Sequence, residues 1–291
     1  MSKDKVIMPS PIILRARRRS GRLVNRRRAL VISSLFIILV TLVYLGGALI
    51  PESFYAADFS QKALPPSGAH WFGTDTLGRD MFWRTWKGLS LSLTVGSVAS
   101  FVALVFALLL GSLAALGGGL MDRLVSWFID LVMGVPHMVL LILIAMACGR
   151  GATGVLIGVA LTHWTGLARL IRAEILQLKH QTYIAVSRRL GKSSWSIFRL
   201  HMLPHLLPQV LVGLVLLFPH AILHESGLTF LGYGLPAEQP AIGIILSESI
   251  KNLTAGLWWT ALFPGLALVT VVLLFDALGQ SLKQVFNPGE R

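Results

Sequence analysis

Four histidines, His137, His163, His220 and His224, have the most evident capacity for chemistry, because each falls in or beside a long apolar run. Imidazole in such a setting can ligate nickel, copper or zinc. It can equally hydrogen-bond one helix to another. His220 and His224 are spaced i, i+4, which sets both rings on one face of a helix. Asp130 is the one acid inside an apolar run, where a carboxylate faces a partner or a wet cavity. Anchoring and gating are both open to it, while a proton relay would want a second acid. Gly191-Lys192-Ser193 looks like the end of a phosphate-binding loop. The glycine required five residues earlier is Val186, however, and no strand precedes it, so the chain is not expected to bind ATP. The single cysteine, Cys148, excludes an intramolecular disulfide framework and is expected to be a buried, inert thiol. No nucleophile–base constellation marks an enzyme.

The elements that must position these residues are membrane helices. Over 291 residues the hydrophobic fraction is 54% and the charged fraction only 13%, outside the range of soluble domains. Uncharged runs cover residues 29–51, 88–121, 131–149, 151–168, 200–224 and 252–275, each long enough to cross a hydrocarbon core as helix. Six spans are expected. With both termini inside, 20 of the 26 Lys and Arg fall on the cytoplasmic side, which fixes the orientation as N-in, C-in. The net charge of +13 is concentrated in Arg15 to Arg28, directly before the first run. Basic residues there set topology and meet anionic lipid. Without interleaved aromatics to stack bases, nucleic acid is not an expected partner. The first run is too long for a signal-peptide core and lacks a small-residue cleavage site, so it reads as an uncleaved anchor.

Residues 1–28 then form a basic cytoplasmic tail, 29–51 the first transmembrane helix, 52–87 an extracytoplasmic segment and 88–291 the core. Within that core the cytoplasmic loop spans 169–205. Span two is lined with small residues from Gly96 to Ala115, as expected of a helix packed among others. Gly134-Val135-Pro136 predicts a kink in span three.

The loop itself is informative. Ala185, Val186, Ser187, Arg188, Arg189 and Leu190 read as helix, Gly191 as its breaker and Lys192 as the start of a turn. Trp195, Ile197, Phe198 and Leu200 supply an apolar face, and Leu203-Pro204 starts the return to the membrane. This stretch resembles the cytoplasmic coupling loop, the "EAA loop", of ABC-importer permeases. Aligned on Gly191, the family's Glu-Ala-Ala falls on Ala185, Val186 and Ser187, so its Glu is absent. HWFGTDTLGRDMFWR (70–84) resembles the outer-loop signature of the dipeptide/oligopeptide/nickel branch, in its C-type subunit. ESGLTFLGYGLP (225–236) and the terminal FDALGQSLKQVFNP (275–288) are similar to further motifs of that branch. In the tail, Asp276, Gly279-Gln280 and Lys283-Gln284 replace its usual Asn, Gly-Asp and Arg-Asp.

The resemblance implies an all-α integral membrane protein of type I ABC importer permease architecture in a bacterial inner membrane. Residues 185–192 with Leu203 and Pro204 would couple to ATPases. From their own placement in or beside the apolar runs, Asp130, His163, His220, His224 and Glu225 are read as candidates for the translocation path, with any metal ligands unknown. The implied partners are a paralogous permease forming a heterodimer, two ABC ATPase subunits that carry ATP and Mg, and an extracytoplasmic solute-binding protein. No cofactor is expected on this chain. The cargo would be nickel or another metal chelate, or a di- or oligopeptide, and the His163-Trp164 pair leans toward the nickel type. A secondary transporter or channel is the rival reading, opposed by the lack of paired intramembrane charges and repeats.

Overall fold

Proline, glycine and small side chains decide where each helix of this chain stops and how closely it meets the next. The computed structural model describes residues 26–286; residues 1–25, most of the basic tail, and 287–291, with the Asn287-Pro288 of the terminal motif, lie outside them. Ten α-helices are described: α1 (Arg26–Leu49), α2 (Met81–Gly117), α3 (Gly119–Gly134), α4 (His137–Ala147), α5 (Ala152–Lys179), α6 (Thr182–Arg189), α7 (Ser194–Ile197), α8 (Leu203–Phe230), α9 (Ile242–Thr254) and α10 (Trp259–Phe286). The described residues form no strand, only an isolated bridge between Thr74 and Asp80. Four continuous helical stretches are long and apolar enough to cross a bilayer, and the number rises to as many as six if each of two bent pairs counts as one span.

The sequence-derived boundaries move in several places. α2 starts at Met81 rather than 88, because Asp80 accepts hydrogen bonds from the Phe82 and Trp83 amides and caps the helix. It ends where Gly118 takes φ 59°, open to glycine without strain. The expected single span 131–149 is not one helix. α3 and α4 meet at 97°. Pro136 lacks an amide for the helix ladder, and Val135 before it is pushed to an extended conformation, φ −90° and ψ 137°. α5 continues to Lys179, so residues 169–179 are helical and continuous with the apolar part of α5. α8 starts at Leu203 after a π-helical turn (Phe198–Met202) and runs to Phe230. The last span is α10, beginning at Trp259, with α9 a separate short helix before it. Cys148 is exposed at the C-terminal cap of α4, contrary to the buried thiol expected.

The segment before α2 is held by its own polar residues. Asp58 caps the turn at Phe59–Gln61, and the Ser60 hydroxyl and amide hold its carboxyl below the usual carboxylate range. Thr74 Oγ1 donates to the Gln61 carbonyl at 2.6 Å and accepts from the Leu64 amide at 2.8 Å. Asp75 is fully buried and accepts from the Leu77 and Arg79 amides and from Arg79 Nε at 2.6 Å. Glu248 of α9 bridges Arg79 Nη2 and the buried Arg84 Nη1, each at 2.7 Å. His70 Nδ1 lies 2.7 Å from Asp80 Oδ2. The 70–84 motif is thus an internal clamp that fastens the loop to α2 and α9.

α1 lies against α2 and α10. Tyr44 donates to the Leu93 carbonyl at 2.8 Å, and the rings of Phe36 and Phe275 meet edge to face at 4.5 Å. The interior of the bundle is made by α2, α5 and α8. Along α2, Ala99, Ala103, Ala107, Ala114 and Ala115 are fully buried. At Gly111 a Cβ would stand 2.6 Å from the Ala168 carbonyl oxygen of α5. Lipid offers no hydrophobic drive between helices, so backbone proximity and packing must hold them together. Two ion pairs pin α3 to α5: Arg172 Nη2 to Asp122 Oδ2 at 2.7 Å, and Arg169 Nη2 to Asp130 Oδ1 at 2.6 Å.

Because the obstacle at Gly111 is backbone, it cannot rotate away. Gly111→Val should separate α2 from α5 at a cost of about 1–3 kcal/mol, read as a fall of several degrees in the melting temperature in detergent. Gly68→Ala, whose added methyl meets nothing, should leave it unchanged. A Gly111→Val protein that melts with the wild type would refute the close approach.

Candidate functional site

Two surfaces gather the residues singled out in the sequence. The first is the stretch from α6 to the start of α8. α6 ends in a closed motif: the Gly191 amide donates to the Arg188 carbonyl at 3.1 Å and the Lys192 amide to the Ser187 carbonyl at 3.2 Å. Gly191 takes φ +81° to allow it. Ser193 then caps α7, its Oγ accepting from the Ser196 amide at 3.2 Å.

This stretch has two faces. Ile184, Ile197, Phe198 and Met202 are buried in one cluster with Ile171 and Ile175 of α5 and Leu206 of α8. Ala185, Val186, Arg188, Arg189, Leu190, Gly191, Lys192 and Pro204 are exposed, while Ser187 is buried and Leu203 half-buried. Tyr183 and Trp195 add large exposed side chains to the outward face. The apolar face read from the sequence therefore divides: Ile197 and Phe198 turn inward, Trp195 and Leu200 outward. Four-residue α7 and the π-helical turn impose this, since together they do not keep the regular period of a longer helix.

The second surface is a cavity of about 610 Å³ at the break between α3 and α4, lined by Val132 to His137, Thr162, His163, Thr165, Gly166, His220 and His224. The rings of His137, His163 and His224 lie 4.5–5.0 Å apart by centroid. One nitrogen from each lies within 4.8 Å of the others. His163 Nδ1 is 3.0 Å from the Val159 carbonyl, which assigns the proton to Nδ1 and leaves a lone pair on Nε2. The Nε2 atoms of His137 and His163 are buried without a hydrogen-bond partner. Three imidazoles of this kind can ligate a transition metal or accept from a donor on a small molecule.

The path residues expected from sequence therefore scatter. His163, His220 and His224 line the cavity, with His220 one turn from His224 and outside the tight trio. His137, which sequence offered only as one of four histidines, completes the trio because the Pro136 break swings the start of α4 toward α5 and α8. Asp130 does not line the cavity. It is exposed in α3 and paired with Arg169. Glu225 does not line it either, being fully buried and hydrogen-bonded by Thr229 at 3.0 Å and Ser226 at 3.2 Å. Its position next to His224 turns it about 100° around α8, toward the core. Among the described residues no other group of three or more His, Cys, Asp or Glu side chains converges in this way.

Comparison with known proteins bears on both surfaces. Residues 107–289 match the family described as "Binding-protein-dependent transport system inner membrane component". The dipeptide transport system permease protein DppC of Bacillus subtilis is 32% identical over 90% of this chain and 83% of its own length. The oligopeptide transport system permease protein OppC of the same organism is 32% identical over 87% and 84%. A solved structure of the MetNI methionine ABC transporter in inward-facing conformations aligns at TM-score 0.58 and 18% identity, covering 71% of this chain and 97% of that one. That likeness carries the fold, the type I importer permease arrangement. The chain belongs to the family of binding-protein-dependent transport system inner membrane components, as a multi-pass permease subunit of the dipeptide/oligopeptide ABC-importer type.

Proposed function

We propose that the chain forms half of the membrane path of an ATP-driven importer, set N-in and C-in, with a paralogous permease as the other half. Two ATPase subunits dock on the 182–202 stretch and carry the ATP and Mg, none of which binds here. A solute-binding protein delivers cargo at the opposite face. The observation that carries this reading is the two-faced geometry of α6 and α7. A face of Leu190, Trp195, Arg188 and Arg189 stands open to a partner, while Ile184 and Ile197 are packed on α5 and α8. A push on the outer face is thereby passed to the two helices that carry His163 and His224. Coupling of this kind works by biasing a bistable packing arrangement, not by bending a soft one.

Di- or oligopeptide is the cargo favoured by the relatives. A metal chelate is the second reading, favoured by the histidine cavity, whose volume suits a small ligand. A channel uncoupled from ATPases would have no use for a rigidly capped, outward-facing segment at residues 182–202.

Gly191→Val forces a β-branched side chain into a left-handed backbone, at a cost of about 1–3 kcal/mol. In the assembled complex, uptake and cargo-stimulated ATPase activity should fall more than ten-fold while membrane insertion stays normal. Stimulated ATPase at the wild-type rate would overturn the coupling assignment.

The orientation is checked by impermeant thiol labelling after exposed Cys148 has been replaced. Thr76→Cys should react from the outer face of intact cells and Lys192→Cys only after the inner face is opened. Gly234 is a poor reporter, since an added Cβ would stand 2.1 Å from Thr229 Oγ1. The reverse labelling pattern would invert the topology.

A further inference from the structure

We infer that His137, His163 and His224 form a binding site for a divalent transition metal of borderline softness, the class of nickel, copper and zinc, presented as a chelate whose own donors complete the coordination sphere. The inference deepens the second cargo reading above and rests on it for the route the metal takes, though not for the binding itself.

Three features of the trio point to a Lewis acid. The ring nitrogens come from three separate helices, α4, α5 and α8, yet converge within 4.8 Å. Metal–nitrogen bonds of about 2.0–2.1 Å would bring them to roughly 3–3.5 Å of one another, which asks for side-chain adjustments of about 1 Å. His163 is already in the tautomer a ligand needs, because the Val159 carbonyl holds the Nδ1 proton. Such an outer hydrogen bond orients a ligating imidazole and raises its basicity. The Nε2 atoms of His137 and His163 are buried and unpartnered, an arrangement that is costly unless a ligand answers it.

The surroundings select a chelate over a bare ion. No Asp or Glu lines the cavity, so three neutral imidazoles leave the full charge of a dication uncompensated. Carboxylates carried by the cargo supply that compensation and occupy the positions the histidines leave open. A cavity of about 610 Å³ has room for them beside the metal. His220, exposed one turn along α8 and on the same cavity wall, is placed to meet the chelator and not the metal.

The test uses the full-length chain, without a histidine tag, in lipid nanodiscs. Calorimetric titration with nickel citrate, and separately with zinc citrate, against a metal-free citrate blank, should give one metal per chain with affinity tighter than millimolar. His163→Gln should weaken it at least ten-fold, as should the double variant His137→Gln with His224→Gln, whereas His205→Gln should not. Because an interior substitution can disturb folding, the wild type is also loaded with copper(II), whose electron paramagnetic resonance should show splitting from several nitrogens. No binding tighter than millimolar in the wild type, or binding unchanged in His163→Gln, would overturn the site. A copper spectrum without nitrogen splitting would do the same. The importer reading is scored separately by the Gly191→Val coupling assay, so either can fail alone.

Discussion

The close approach of α2 to α5 is the constraint on which the rest of this protein depends. A run of alanines with Gly111 lets the two backbones touch, and in lipid that proximity supplies the packing that water supplies to soluble cores. α5 is thereby fixed as the central strut. Its middle carries His163, its later turns hold Arg169 and Arg172 against α3, and Ile171 and Ile175 make the floor beneath the α6–α7 stretch. Lys179 at its end donates to the Ala115 carbonyl near the end of α2. Loosening the α2–α5 seam would therefore disturb the cavity and the α6–α7 stretch together.

Polar groups in this bundle perform fastening more than chemistry. Asp75, Arg79, Arg84 and Glu248 form a nearly closed ion network between the loop before α2 and α9. Each of these groups loses hydration on burial, so removing one partner costs more than the pair contributes. That asymmetry makes the network a device for fixing one arrangement of the loop. Glu225 serves similarly in α8, drawing in the hydroxyls of Ser226 and Thr229; Thr229 Oγ1 in turn accepts from the Leu235 amide and ties down the following turn.

The histidine cavity owes its existence to a break. Pro136 ends α3 and starts α4 at nearly a right angle, placing His137 at a helix start facing α5 and α8. A straight helix over the same residues would carry that ring elsewhere. The cavity and the α6–α7 stretch both rest on α5 and α8, so in the proposed cycle a motion of α6 and α7 changes the separation of His163 and His224 without a hinge between them.

The sequence by itself determined the membrane class, the basic stretch with its Gly191 break, the Pro136 kink and the small-residue face of α2. Each is a local property: hydropathy over about 20 residues, one residue's backbone freedom, one helix's period. The His220 and His224 spacing was legible for the same reason. What only the tertiary structure decided is which groups meet across the chain. Asp130 finds Arg169, Glu225 turns inward, Cys148 stays exposed, and His137 joins His163 and His224 in place of His220. Period and composition fix the face of one helix, whereas these meetings depend on how neighbouring helices are rotated and staggered, which is set by packing between residues far apart in sequence.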